Sequence, residues 1–214
     1  IETLPSSPVT TPQLVINIIA SPGMLADMQS NPAVYDLFDS INTISKKSTH
    51  PYKPDLLGWA RLELDPNREF ILVDEIQTDH ANAVYKLKND SSYEMTNLRD
   101  NLKRKYKLDE KSLLELFDKL YSYVRDFPDI ATQAVSTFAK KNGFKKLYWH
   151  TFESGKKLKN NSPPKSLYDK TPKENFFSPS QDRPFGLDGE FFEREAKATN
   201  RLIRLARRLY LKHL

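Results

Sequence analysis

Residues 70 to 80 read Phe-Ile-Leu-Val followed by Asp-Glu-Ile-Gln-Thr-Asp-His, an apolar run that ends in a burst of acids, amides and an imidazole. A short apolar run bounded by turn signals reads as a buried strand. Chemistry in mixed α/β folds gathers where such strands stop. The segment from Gly58 to Leu64 reads as a strand before it, and Asp65-Pro66-Asn67-Arg68 between the two is turn chemistry. The pair is therefore predicted to form an antiparallel hairpin. A turn centred near Pro66 and Asn67 sets Glu75 close to Gly58 and leaves Asp65 at the far end.

The remaining pattern supplies the other layers of one α/β domain. Residues 1 to 12, rich in Pro, Ser and Thr, read as an extended arm, and Leu14 to Ile19 as a first strand. Residues 24 to 44 suit one or two short helices interrupted at Asn31-Pro32. The stretch from about 81 to 127 is charged and helical in period, a helical insertion of two or three helices. Asp129 to Asn142 forms the next helix, Gly143 sits where a helix C′ residue belongs, and Phe144 to Thr151 reads as a strand returning beside Phe70. Residues 152 to 187 read mostly as a long loop with a short helical candidate at Ser166 to Lys170. The segment 188 to 214 is expected to be a basic amphipathic C-terminal helix packed on the same domain.

Composition narrows the class. At 214 residues the chain holds one full core, and 29% charged with 38% hydrophobic residues, including 12 Phe and 10 Tyr, excludes a disordered chain. No apolar run approaches the ~20 residues of a membrane span. The absence of cysteine excludes disulfides, thiolate nucleophiles and cysteine zinc sites. A chain opening at Ile1 without Met is consistent with a processed product or a piece of a larger polypeptide, and residues 1 to 12 lack the basic and apolar regions of a signal peptide. A net charge of +5 permits nucleic acid or another acidic partner.

Three groups of residues carry candidate chemistry. Asp74, Glu75, Gln77, Asp79 and His80 sit at the strand end, where half-desolvated carboxylates can act as general base or orient a substrate; capping the next helix is their structural alternative. His150 ends the Phe144 strand and is expected near Glu75 if the two strands are neighbours. Glu75-Ile76-Gln77 also matches the E-x-Q variant of a metal nuclease core, but the hairpin sets its only well-spaced partner, Asp65, roughly 20 Å away at about 3.3 Å per residue. His80, His150 and Asp79 lack compact ligand spacing, so no metal is expected. Finally, Arg194, Lys197, Arg201, Arg204 and Arg208 recur at i, i+3, i+7, i+10 and i+14, a stripe able to lie along phosphates or to remain a solvated face.

Two resemblances follow from these motifs. The order hairpin, amphipathic helix, Gly, strand and then Ser166-Leu167-Tyr168-Asp169-Lys170 resembles the C-terminal part of N-acetyltransferases of the GNAT superfamily. That resemblance implies a mixed, largely antiparallel sheet flanked by helices, an acyl-CoA donor such as acetyl-CoA, Glu75 as catalytic base and Tyr168 as general acid, with His150 assisting. Closer still, Asp74 to Asp79, Gly143 to Thr151 and Tyr168 to Lys173 are similar, in order, to the motifs of the E-I-Q-S-D domain of large polyvalent proteins of phages and mobile elements. This implies a setting in host cytoplasm or virion. GNAT enzymes follow the Glu-bearing strand with a glycine-rich loop that holds a diphosphate on a helix N-terminus. Thr78 to Asp90 contains no glycine, which favours a second expectation: a domain without its cofactor site, serving as a virion-associated or nucleic-acid- or protein-binding module.

Overall fold

In the computed structural model, the described residues are 12–45, 55–159 and 165–196. Chain order begins with β1 (Gln13–Ile19), α1 (Pro22–Gln29), α2 (Pro32–Ser45), β2 (Leu56–Leu64) and β3 (Phe70–Gln77). Four helices follow, α3 (Asp79–Asn89), α4 (Tyr93–Tyr106), α5 (Glu110–Val124) and α6 (Phe127–Lys141), and then β4 (Lys146–His150). The rest is α7 (Phe152–Lys159), a π-helical turn at Ser166–Lys170, α8 (Thr171–Glu174), β5 (Ser178–Ser180) and β6 (Phe191–Glu195). The strands form one six-stranded sheet in the order β1-β2-β3-β4-β6-β5. All neighbours are antiparallel except β3 and β4, which are parallel. This is the mixed, largely antiparallel sheet expected from sequence, a layout consistent with the GNAT order of elements.

The parallel pair explains the unit that precedes it. Antiparallel strands need only a hairpin, but a parallel return needs a crossover, and α3 to α6 supply it. Helix α6 lies on the sheet through a face of small residues, Ala131, Thr132, Val135, Ser136 and Ala139, all buried. Its C-terminus passes into Gly143, whose φ of +78° is the left-handed conformation that glycine adopts without a Cβ penalty. The helical face of the sheet, including Leu62, Ile71, Val73, Ile76, Leu147 and Trp149, closes one large core with α2, α3, α5 and α6. On the opposite face Leu72, Tyr148 and Phe191 form a smaller cluster with Phe70, Phe185 and Leu187.

Close approach at one glycine seats α6. A Cβ on Gly58 would lie 2.3 Å from the Gln77 carbonyl oxygen and 2.5 Å from the Phe127 ring. Gly58→Ala should therefore push the first turn of α6 off the sheet. The expected loss is about 1–3 kcal/mol, as for overpacked cores, read as a lower urea midpoint with unchanged slope.

Two expectations are corrected. The segment from 188 does not open a helix: residues 191 to 195 form β6, because β4 offers an open edge and adjacent Phe191 and Phe192 each find a hydrophobic cluster, on opposite faces of the sheet. The predicted loop 152–187 contains α7, the π-helical turn, α8 and β5, and it packs against the sheet end. Residues 197 to 214 lie outside the described residues, as do residues 1 to 11 of the predicted arm.

Candidate functional site

Strand alternation would place Asp74 and Glu75 on opposite faces. The register of the hairpin prevents this: Leu62 pairs with Val73 but Arg61 pairs with Glu75, so Asp74 is an extra residue in β3. This is a β-bulge, a device that re-aims side chains. Val73 and Ile76 both remain in the helical-face core, and the two acids between them share one partner on β2. The Arg61 guanidinium donates from Nε to Asp74 Oδ2 at 2.6 Å and reaches Glu75 Oε2 from Nη2 at 2.9 Å. Glu75 pairs with Arg61 rather than near Gly58 as the turn count predicts, because the turn already sets Leu64 opposite Ile71 and the bulge then shifts the register by one more residue. Burial opposes the charge on Arg61, yet the carboxylates of Asp74 and Glu75 outweigh it and raise the guanidinium pKa.

Two further groups converge on Asp74. His150 Nε2, on β4, lies 3.6 Å from Asp74 Oδ1 and is 2% exposed. The imidazole–carboxylate neighbour is thus Asp74 rather than the expected Glu75, which is held by another nitrogen of the same arginine. Buried Tyr168, in the π-helical turn, donates its hydroxyl to the Asp74 carbonyl oxygen at 3.1 Å. The structure therefore brings together Asp74, Glu75, His150 and Tyr168, drawn from three separated motifs. Arg61 joins them although sequence reading missed it. Its signal was present: the one basic residue of a mostly apolar strand, Leu56 to Leu64, set before a strand that ends in acids.

Here the parallel ladder also ends. Parallel pairing of β3 with β4 ends at Val73 and Trp149, whereas β3 continues to Gln77. Ladder pairing between the two strands thus stops beside the bulge, where His150 and Tyr168 are buried against Asp74. Within the cluster Glu75 is the more accessible acid, its side chain 28% exposed against 9% for Asp74. A buried acid that is held in place and an accessible one beside it suit division into a positioning group and a reacting group.

The other predicted residues stand apart. Gln77 donates from Nε2 to Asp79 Oδ1 at 3.0 Å, and Asp79 is the first residue of α3, where an acid complements the helix dipole. His80 does not join them, in contrast to the orienting role predicted for it. It turns under α2, 1% exposed and stacked on Phe38 at 4.4 Å between ring centres. Burial drives its pKa from the usual 6.5 down to about 4, against the smaller pull of the Phe38 and Leu57 backbone.

The His80 shift has a measurable consequence. Its folded pKa lies below the unfolded value, so between pH 6.5 and about 4 the unfolded chain takes up a proton that the folded chain refuses. Stability is fully present above 6.5 and falls as pH drops through this window, by roughly 3 kcal/mol in all at about 1.4 kcal/mol per pH unit. Urea unfolding at pH 7.5 and 4.5 should show a loss roughly 2–3 kcal/mol larger in the native protein than in His80→Phe. An equal loss in both would remove His80 as the cause.

Arg194 is likewise corrected. It lies on β6 rather than on a helix face, 8% exposed, with its guanidinium donating to Asn175 O at 2.8 Å and to Ser136 Oγ and stacking over Phe177 at 4.8 Å. Burial lowers its pKa to about 10, so it stays charged at neutral pH but cannot reach a polyanion. Lys197, Arg201, Arg204 and Arg208 lie outside the described residues. Among the described residues, no group of three or more His, Asp or Glu side chains is placed to hold a metal, and no helix is long and apolar enough to cross a membrane. Comparison of the chain with protein-family models, with curated proteins and with solved structures finds no match.

Proposed function

We propose that this is a GNAT-like domain of phage or mobile-element type that transfers an acyl group from a thioester such as acetyl-CoA to an amine. Glu75 takes a proton from the substrate's ammonium form, directly or through water, and the freed nitrogen lone pair attacks the thioester carbonyl. The tetrahedral intermediate collapses with cleavage of the C–S bond, and the leaving thiolate takes its proton from Tyr168. Arg61 fixes both carboxylates, and Asp74 with His150 holds the strand end that carries the base. The observation that carries this reading is the bulge at the end of the β3–β4 ladder. It gathers an accessible carboxylate and a tyrosine from distant motifs where β3 runs on past its pairing with β4, a strand edge along which an extended substrate can lie.

The alternative, a binding module without a cofactor site, is favoured by one feature. The N-terminus of α3, where a diphosphate would sit in a GNAT enzyme, begins with Asp79 and has no glycine. The predicted arginine stripe no longer supports that alternative at Arg194. Thiol release from acetyl-CoA with a panel of primary amines, alongside calorimetric titration of acetyl-CoA alone, separates the two. Saturable binding with amine-dependent thiol release supports acyl transfer. Absence of both leaves the module reading.

A further inference from the structure

A concavity opens on the helical side of the same strand end. It has a volume of about 440 Å³, within the range of roughly 300–1,000 Å³ typical of small-molecule sites. Its walls come from the end of β3, from α3, from the end of α5 and from the start of α6, with Val84, Phe127 and Leu167 making it largely apolar. None of the four clustered residues Asp74, Glu75, His150 and Tyr168 lines it.

Three features describe an occupant. Tyr85 and Tyr121 both line the cleft and remain 68% and 45% exposed, large aromatic surfaces left uncovered in the described structure. Such rings bind flat π-systems well. In the wall, Thr78 Oγ1 is buried and has no hydrogen-bond partner among the described residues. A buried hydroxyl without a partner is costly and rare, and a ligand atom would satisfy it. Asn82, exposed beside it, supplies an amide. Lys88 and Arg125 add two cations to the lining. Each already meets an acid, Lys88 with Asp118 at 2.5 Å and Arg125 with Asp126 at 3.6 Å. Exposed ion pairs of this kind are worth only about 0–1 kcal/mol and yield readily to a better placed anion.

We propose that this cleft binds a small planar aromatic anion, with its ring against Tyr85 and Tyr121, its polar edge at Thr78 and Asn82, and its charge at Lys88 and Arg125. A nucleotide and a simple aromatic acid share this chemistry. Binding of this kind needs no acyl transfer at Glu75, so either assignment can fail alone.

The probe is anilinonaphthalene sulfonate, itself a planar aromatic anion, titrated by fluorescence into the full chain. A single saturable site is expected. Tyr85→Ala removes only an exposed ring, so the fold survives it, and should weaken binding about tenfold, the size of one lost stacking contact. Ala81→Trp, which fills the cleft, should abolish binding, and Lys88→Glu should weaken it by a further order of magnitude. Displacement by AMP identifies a nucleotide, and displacement by salicylate alone identifies a simple aromatic acid. The proposal is overturned if binding does not saturate, if Tyr85→Ala and Ala81→Trp leave it unchanged, or if neither competitor displaces the probe.

Discussion

Glu75→Gln is expected to give a folded protein in which the proposed acyl transfer is slower by about 100- to 10,000-fold, the usual range for losing a general base. The amide keeps the shape of the side chain and still offers Arg61 an oxygen, but it cannot take the proton that the substrate ammonium must lose before its nitrogen attacks. Because the Glu75 side chain is partly exposed and its contact with Arg61 is a single ion pair, the stability cost should stay within about 1 kcal/mol. The two readouts therefore separate: thiol release collapses while the thermal transition barely moves. A rate within threefold of the native protein would remove Glu75 as the base, whatever the fate of the acyl donor.

Arg61→Met should do the reverse and strike the fold first. Asp74 is buried, and its nearest cation is the Arg61 Nε at 2.6 Å. Removing one partner of a buried pair leaves the other charge poorly compensated, at a cost of about 3–5 kcal/mol. For a domain of this size that corresponds to a fall in Tm of roughly 10 °C. Adding Asp74→Asn to Arg61→Met should recover much of the loss, since the amide needs no counter-cation. A double-mutant cycle over these two positions then measures their coupling. If the single and double variants melt together, the pair contributes little and the bulge is held by other contacts.

The residues that made the fold legible are those with a strong local period. The apolar run of β3, the turn at Asp65 to Arg68, and the succession of α6, Gly143 and β4 each carried their own signal, and the return of β4 beside β3 followed from them, while its parallel direction is seen only in the sheet. The bulge did not, because two adjacent acids at the end of an apolar strand look the same whether or not one is an insertion. Only the partner strand reveals the extra residue. The missed strand β6 has a different cause. Arg194 falls in phase with the arginines beyond it, but local spacing says nothing about the open edge of β4 that captures this segment. His80 was misread because polarity at a strand end does not disclose which side a helix turns; burial under α2 decided it. Tyr168 was identified through a resembling motif and not through any local period.

The insertion at Asp74 bears on how such a site could arise or vanish. Ile71 and Val73 before it and Ile76 after it all point into the same core. Excising the one residue between Val73 and Glu75 would restore strict alternation without turning any of these side chains outward. The ancestor of this strand need have been nothing more than a regular ladder with a single acid. A one-codon change in the gene then suffices to add or erase the paired carboxylates, so chemistry and fold can evolve on separate schedules within the same β3.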